Sequence, residues 1–216
     1  MSKNIAFRKL NKEKLKAYGF IDHSYETAVM DGAMTLSITI ADDGALDSHV
    51  SDKETGEEYV LYRVKESKGA FVNKLRTETG RIIDSIISSC YDADVFKGKQ
   101  AKEIISSVES GYGDTLEYPW GIEDGAAVIR NRKTRKWYVL LMVVPKKRLT
   151  RKDKDEGNAE VLNLHLKEET IASLVNGKTF FPGYHMNKRH WISILLDGSL
   201  PRKEWESLIE ESHSLS

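Results

Sequence analysis

Apolar and polar residues alternate strictly from Met34 to Ile40, in the first half of the chain. This period of two predicts a half-buried β-strand. Polar and glycine residues at 42–44 and 52–56 predict two turns, and residues 59–64 are interpreted as a further strand. Apolar residues recur at helical spacing from Phe71 to Cys90, which predicts a long helix over residues 70–91 that could bend at Gly80. The first half is therefore predicted to be antiparallel strands backed by a long helix.

The second half begins with a helical pattern and continues with strands joined by short turns. Residues 126–130 and 137–144 are predicted strands, and the polar residues between them form a hairpin loop. The strand at 137–144 is apolar at every position, which predicts a central strand covered on both faces. Strands at 161–166 and 190–196, with helices between them and after Pro201, complete the order α-β-β-β-α-β-α. This order predicts an α+β fold in which helices pack on an antiparallel sheet.

The distribution of tryptophan divides the chain. All four tryptophans lie in the second half, and a Lys-Gly-Lys sequence at residues 97–99 precedes them. A chain of 216 residues has room for two small domains. We therefore predict two domains, at residues 1–97 and 98–216.

Charge and cysteine content exclude several classes of protein. The 33 basic residues are balanced by 33 acidic residues, so a strongly basic nucleic-acid coat is excluded. Cys90 is the only cysteine, which excludes a disulfide framework and a multi-cysteine zinc site; its place in the helical pattern predicts a buried thiol. No apolar run approaches the ~20 residues needed to cross a bilayer, and residues 1–10 lack the apolar stretch of a secretory signal. We expect a cytoplasmic protein without a membrane contact.

One segment concentrates positive charge in this neutral chain. Residues 130–154 contain eleven basic residues and one acidic residue, a net charge of +10. The intervening strand would place the two halves of this segment at its opposite ends, so two basic clusters are predicted rather than one. Each cluster could lie against phosphates or be an ordinary solvated loop. The candidate nucleic-acid contacts are Arg130, Arg132, Lys133, Arg135, Lys136, Lys146, Lys147 and Arg148.

A second candidate region sets basic groups beside aromatic rings, a combination that suits phosphate contact and base stacking. Lys188 and Arg189 are its candidate phosphate contacts. The alternative interpretation is that the rings fill the core and the polar side chains stabilise an irregular loop. The candidate ligand or stacking residues are Tyr184, His185, His190 and Trp191.

The residues do not assemble a known catalytic or cofactor motif. The sequence has no Walker motif, no Gly-x-Ser-x-Gly elbow and no complete dinucleotide fingerprint. His185 and His190 are five positions apart, with no Cys or Glu at a known ligand spacing. We therefore expect no metal, no cofactor and no enzyme activity.

Several sequence motifs in the second half occur in a recognisable order. They are EYPWG at residues 117–121, FPGYHMNKRHWI at 181–192, Asp197-Gly198 and SHSL at 212–215. In this order they resemble the MmcQ/YjbR family, a group described as predicted DNA-binding proteins with a double-wing motif. The resemblance covers the predicted second domain, and the first domain resembles the N-terminal extension of longer members. The usual Ser-Tyr pair of the family appears here as Ser212-His213.

This resemblance implies a YjbR-like α+β fold, similar to that of secretion-chaperone-like proteins, and no established enzyme activity. Together with the charge pattern, it leads to the hypothesis of a non-enzymatic binding protein. DNA would be bound through the basic hairpin tips and the loop at residues 185–191. A protein-interaction module is one alternative, and a small-molecule binder or unrecognised enzyme is another. The oligomeric state stays open.

Overall fold

The computed structural model describes residues 5–216, so the first four residues of the 1–10 segment lie outside the described residues. The chain divides into two compact units, Met1–Ala93 and Asp94–Ser216. The boundary placed from the sequence, after residue 97, lies just beyond this division. Both units combine helices with antiparallel strands, so the predicted α+β class is confirmed. Among the described residues no helix is both long and apolar enough to cross a membrane.

The N-terminal unit is an antiparallel sheet with one long helix packed against it. Strands β2, β3 and β4 form this sheet in that order, and β1 pairs with β5 in a separate ribbon. The predicted strand at Met34–Ile40 is confirmed, and the long helix continues through Gly80. Its elements are β1 (Arg8–Leu10), α1 (Lys12–Tyr18), β2 (Ser24–Val29), β3 (Met34–Ile40), β4 (Leu46–Asp52), α2 (Ala70–Cys90) and β5 (Tyr91–Ala93).

One apolar core joins the buried face of β3 to the buried stripe of α2. Leu36 and Ile38 contribute from the strand, and Leu75 and Ile86 contribute from the helix; all four are fully buried. Cys90 lies in the same core as a free thiol, as predicted, and its burial raises the pKa of that thiol.

Residues 59–64 do not form the predicted strand. The segment contains a 3₁₀ helix at Leu61–Arg63 and buries the side chain of Tyr62 while leaving its neighbours exposed. The guanidinium of Arg76, on α2, donates hydrogen bonds to several carbonyl groups of this region. Because a side chain satisfies these carbonyls, they need no strand partner. The accepting carbonyls are those of Leu61, Tyr62, Val64 and Ser67.

The C-terminal unit is built on one six-stranded sheet, ordered β10-β11-β9-β8-β7-β6, in which all neighbours are antiparallel. The predicted order α-β-β-β-α-β-α is confirmed, with β6, α4 and β10 as additions. Its elements are α3 (Lys99–Tyr112), β6 (Leu116–Glu117), β7 (Ala126–Arg130), β8 (Trp137–Pro145), α4 (Lys146–Thr150), β9 (Asn158–His165), α5 (Glu168–Leu174), β10 (Phe180–Pro182), β11 (Trp191–Leu195) and α6 (Arg202–Ser214).

Helix α6 is fastened to the middle of this sheet by one hydroxyl group. The buried Ser212 donates a hydrogen bond to the carbonyl of Tyr138 on β8 and accepts one from the backbone N–H of His165 on β9. Trp205, on the sheet-facing side of the helix, is also fully buried. The predicted central position of β8 is confirmed, since two strands lie beyond it on one side and three on the other.

Candidate functional site

Three strand ends meet at one end of the six-stranded sheet. Strand β8 begins at Trp137, β9 ends at His165 and β11 begins at Trp191. The register pairs Trp191 directly with His165, and it pairs the neighbouring Leu164 with Val139. We call this the tryptophan end of the sheet. It adjoins both the hairpin tip at residues 131–136 and the loop at residues 183–190.

The loop at residues 183–190 is held in place by backbone contacts. The N–H of Gly183 donates to the carbonyl of Trp191, and a Cβ at this glycine would lie 2.7 Å from that oxygen, so no larger residue fits. The Asn187 carbonyl accepts from the N–H groups of His190 and Trp191, and its side chain accepts from the N–H of Arg189. His185 adopts a positive φ of 57°. The loop is therefore a defined structure that presents Lys188 and Arg189 to solvent.

The hairpin tip is ordered by Asn131. Its side-chain oxygen accepts hydrogen bonds from the N–H groups of Lys133 and Thr134, as in an Asx turn. A register shift next to Arg130 places that residue opposite Trp137. The side chains of Lys133 and Lys136 remain exposed at the tip.

Aromatic rings form two groups at the tryptophan end. In the first, the ring of Trp120 meets that of Trp137 edge to face with centroids 5.4 Å apart, and the Arg130 guanidinium lies 5.3 Å from the Trp137 centroid. In the second, the His165 ring lies 5.5 Å from Trp191 and 6.1 Å from His190. Trp137 and Trp191 are half-buried, whereas Trp120 is 47% exposed. Each group thus offers ring surface to solvent.

Four of the five arginines proposed as phosphate contacts are paired with carboxylates in this structure. Glu117 binds both Arg130, at 3.0 Å, and Arg135, at 3.3 Å. Arg132 Nε lies 3.4 Å from Asp114 Oδ1, and Arg189 lies 3.1 Å from Glu168. These four guanidinium groups are partly neutralised before any phosphate approaches.

The lysines behave differently. Within the described part of the chain, Lys133, Lys136 and Lys188 have no carboxylate within ion-pairing distance, and all three are exposed. An unpaired ammonium group at a surface is available to an incoming anion. The positive charge that is not engaged in ion pairs at the tryptophan end, among the described residues, therefore belongs to these three lysines.

The remaining basic candidates lie elsewhere. Lys146, Lys147 and Arg148 belong to α4, which begins where β8 ends. Eight residue steps along β8 separate Trp137 from Pro145, which is about 26 Å for an extended strand. The structure therefore places the two basic clusters at opposite ends of β8, and the hairpin-tip cluster lies at the end where β9 ends and β11 begins.

Tyr184 is also separated from the other candidate rings. Its half-buried side chain packs against an apolar cluster that contains Val144, Leu149 and Phe181. His185 is exposed, and its ring lies 4.2 Å from that of Tyr184. Among the candidate stacking residues, His190 and Trp191 are thus the two that the fold assembles around His165.

The electrostatic environment of His165 is unusual for an exposed sheet end. Burial, followed by the positive charges of His190 and Lys136, lowers the pKa of this imidazole from its ordinary value. His165 is therefore neutral over a wider range of pH than a solvated histidine. Lys136, in the hairpin tip, is thus one of the charges that act on this imidazole.

A buried polar cluster behind the hairpin tip was not predicted from the sequence. Asp114 Oδ2 accepts a hydrogen bond of 3.0 Å from the Tyr138 hydroxyl and lies 3.7 Å from His213 Nε2. The His213 ring stacks on Tyr112 at 4.2 Å. Burial, and then the charge of Asp114, raises the pKa of Tyr138. The unusual Ser212-His213 pair was the one signal of this cluster, which connects the ends of α3 and α6 to the sheet.

No group of three or more potential metal-ligating His, Cys, Asp or Glu residues occurs among residues 5–216. The arrangement at the tryptophan end offers ring faces, three free ammonium groups and a set of backbone-defined loops. Such a surface can bind a flat anionic partner by stacking and charge attraction.

The C-terminal unit is an α+β domain in which helices pack on an antiparallel sheet, and loops form a surface at one end of that sheet. Residues 110–215 match the YjbR family, and the chain belongs to that family. An uncharacterised protein of Bacillus subtilis (strain 168), YyaQ, is 37% identical over 115 residues, which are 53% of this chain and 96% of that protein. The family match lies within the C-terminal unit.

Solved structures of similar proteins come from two further bacteria. A Pseudomonas syringae protein, known from a crystal structure, is 36% identical with a TM-score of 0.48, and the match covers 53% of this chain and 96% of that chain. A Deinococcus radiodurans protein is 22% identical with a TM-score of 0.41, covering 54% of this chain and 77% of that chain.

Proposed function

We propose that the C-terminal unit is a non-catalytic, cytoplasmic module that binds nucleic acid through the tryptophan end of its sheet. The observation that carries this proposal is the position of three exposed lysines, unpaired within residues 5–216, in the hairpin tip and the loop that adjoin the two groups of partly exposed aromatic rings. The double-wing DNA-binding label of the family is consistent with it, because the hairpin tip and the loop at residues 183–190 are the two projections that flank the surface.

The distribution of charge supports this end of the sheet over the opposite one. At the tryptophan end, unpaired lysines lie beside rings and histidines, which together can bind phosphate and base. At α4, Lys147 and Arg148 are exposed, but the nearby apolar side chains belong to the buried cluster around Leu149. The α4 end therefore offers charge beside an apolar cluster into which the half-buried Tyr184 ring is packed.

The proposal is tested by fluorescence anisotropy of labelled DNA at several salt concentrations. We expect binding at low salt that weakens as salt increases. A triple variant, Lys133→Gln with Lys136→Gln and Lys188→Gln, is expected to lose at least tenfold in affinity at low salt. Its matched control is Lys147→Gln with Lys152→Gln and Lys154→Gln, which removes the same charge from exposed positions at the far end of β8 and is expected to bind as the original chain does.

Two results would contradict the proposal. One is an absence of binding to any DNA at low salt. The other is an equal loss of affinity in both triple variants, because general charge attraction and not this surface would then account for binding.

A protein partner is the second candidate function. Open clefts follow the seam between α3 and α6: one of about 600 Å³ is lined by Tyr112 and Trp205 among others, and another of about 610 Å³ is lined by Lys102 and Arg202 among others. These clefts could accept a peptide segment. A partner retained at high salt, where phosphate contacts fade, would favour this second function.

A further inference from the structure

The tryptophan end differs from a duplex-binding surface in how its charge is distributed. Four of its arginines are paired with Glu117, Asp114 or Glu168, so three lysines remain for phosphate contact. Binding to the backbone of a duplex typically relies on a larger set of Lys and Arg contacts. Charge at this surface is therefore too sparse to be its main source of affinity.

Aromatic rings are more numerous at this surface than unpaired lysines. Trp137 and Trp191 begin β8 and β11, the two strands that flank β9, so their backbones lie about 10 Å apart. His165, at the end of β9, lies between these strands, and Trp120 extends the first ring group outward. The surface thus carries two separate stacking platforms rather than one.

Aromatic platforms act on bases that are not already stacked. In a duplex each base face is covered by its neighbours, whereas a single strand can place successive bases on protein rings. Stacking also tolerates any base, because every base has a π-face. Two platforms beside three lysines therefore match an unpaired strand better than a double helix.

We propose that the tryptophan end binds single-stranded nucleic acid, with bases on the rings of Trp191 and Trp137 and phosphates beside Lys133, Lys136 and Lys188. This inference rests on the proposed nucleic-acid function and names its substrate class. It predicts weak dependence on base sequence. The shared ligand chemistry is a flexible strand of unstacked bases, which single-stranded DNA and single-stranded RNA both provide.

The test compares the full chain binding to labelled oligothymidine, oligouridine and a mixed-sequence duplex of equal length. Single strands are expected to bind at least tenfold more tightly than the duplex. Three lysine contacts give an expected slope of log K against log salt of about −2 for a single strand. Engagement of all ten proposed basic residues by a duplex would instead give about −9. The ratio of the oligothymidine to the oligouridine affinity separates DNA from RNA as the preferred strand.

Two variants of Trp191 distinguish a loss of ring stacking from a loss of the folded structure. Trp191→Leu removes the ring but keeps an apolar side chain, and it is expected to lower single-strand affinity about tenfold. Trp191→Phe keeps a ring and is expected to retain most of the affinity. If Trp191→Leu fails to fold, Trp120→Leu provides a second test, since Trp120 is more exposed than Trp137 and Trp191; we expect a smaller loss of single-strand affinity from it.

The possible outcomes distinguish this inference from the proposed function. Equal or tighter binding of the duplex, still dependent on the three lysines, overturns the single-strand preference and leaves nucleic-acid binding standing. Single-strand binding that is unchanged in the ring variants also overturns the stacking mechanism. Failure of every nucleic acid to bind at low salt overturns both.

Discussion

Trp191 and His165 face each other across neighbouring strands, and their ring centroids lie 5.5 Å apart. This pair joins the family-like sequence at residues 181–192 to a histidine that the motif does not contain. Lys136, from the hairpin tip, acts on the same imidazole through its charge. His165 therefore contacts Trp191 at the end of one loop and is affected by the charge of Lys136 in the other.

The lowered pKa of His165 predicts a pH dependence of stability. As pH falls below about 6.5, the unfolded chain takes up a proton at this residue before the folded chain does. The free energy of unfolding of the C-terminal unit is therefore expected to decrease between that pH and the lower pKa of the folded state. His165→Gln is expected to reduce this decrease. Urea unfolding followed by tryptophan fluorescence measures it, since all four tryptophans lie in this unit.

His49 provides a contrast of opposite sign in the N-terminal unit. Its hydrogen bond to Glu58 is the main cause that raises its pKa, so the folded chain holds the proton more tightly. The stability it contributes is complete below about pH 6.5 and is lost as pH rises through the raised pKa. If His49→Gln and His165→Gln changed the pH profile in the same direction, these assignments would be wrong.

Ser193 is expected to be important for the stability of the C-terminal unit. Its buried hydroxyl donates to Asn163 Oδ1 at 2.5 Å and accepts from the N–H of Tyr184 at 2.7 Å. Ser193→Ala would leave both partners without this contact, at a cost of about 1–3 kcal/mol in the free energy of unfolding. Ser207→Ala, at an exposed position on α6, is the control and is expected to change it by less than about 0.5 kcal/mol. Equal effects would show that the buried network contributes nothing.

Arg76 is expected to hold the 3₁₀ segment of the N-terminal unit. Arg76→Lys keeps the charge but cannot reproduce a planar fork that reaches several carbonyls. We expect a loss of about 1–3 kcal/mol, measured by far-ultraviolet circular dichroism in urea. Arg81→Lys, an exposed position on the same helix, should be close to neutral. A neutral Arg76→Lys would mean that water replaces these hydrogen bonds.

Gly80→Ala is expected to stabilise the N-terminal unit. Gly80 lies inside α2, and a Cβ there would meet no atom within 4 Å outside the neighbouring helix backbone. Alanine loses less conformational entropy than glycine in a helix, which corresponds to about 0.5–1 kcal/mol. A decrease in the urea midpoint would indicate that the helix uses glycine for a bend that the structure does not contain.

Periodicity was a good guide where one physical effect dominated. The alternation at Met34–Ile40 and the apolar run beginning at Trp137 predicted their strands because burial of one or both faces decided their structure. The segment at residues 59–64 misled because its apolar residues are mostly exposed. Its backbone is instead satisfied by Arg76, a partner 12–15 positions away from most of the carbonyls it binds, and periodicity carries no information on such a contact.

The candidate site shows the same limit. Sequence spacing predicted that the residues before and after β8 would form two clusters, and the structure has them so. It could not show that Glu117 holds Arg130 and Arg135, or that Glu168 holds Arg189, because these carboxylates come from other elements. Sequence spacing also could not show that His165 lies opposite Trp191, because that register depends on strand pairing.

The hydroxyl of Ser212 has a practical consequence for anyone shortening this protein. It supplies hydrogen bonds to two adjacent strands from a position only four residues before the last, Ser216. Deletion of the final turn of α6 would leave the Tyr138 carbonyl and the His165 amide without their partner inside the sheet. Truncation and affinity-tag design should therefore keep this terminal helix intact.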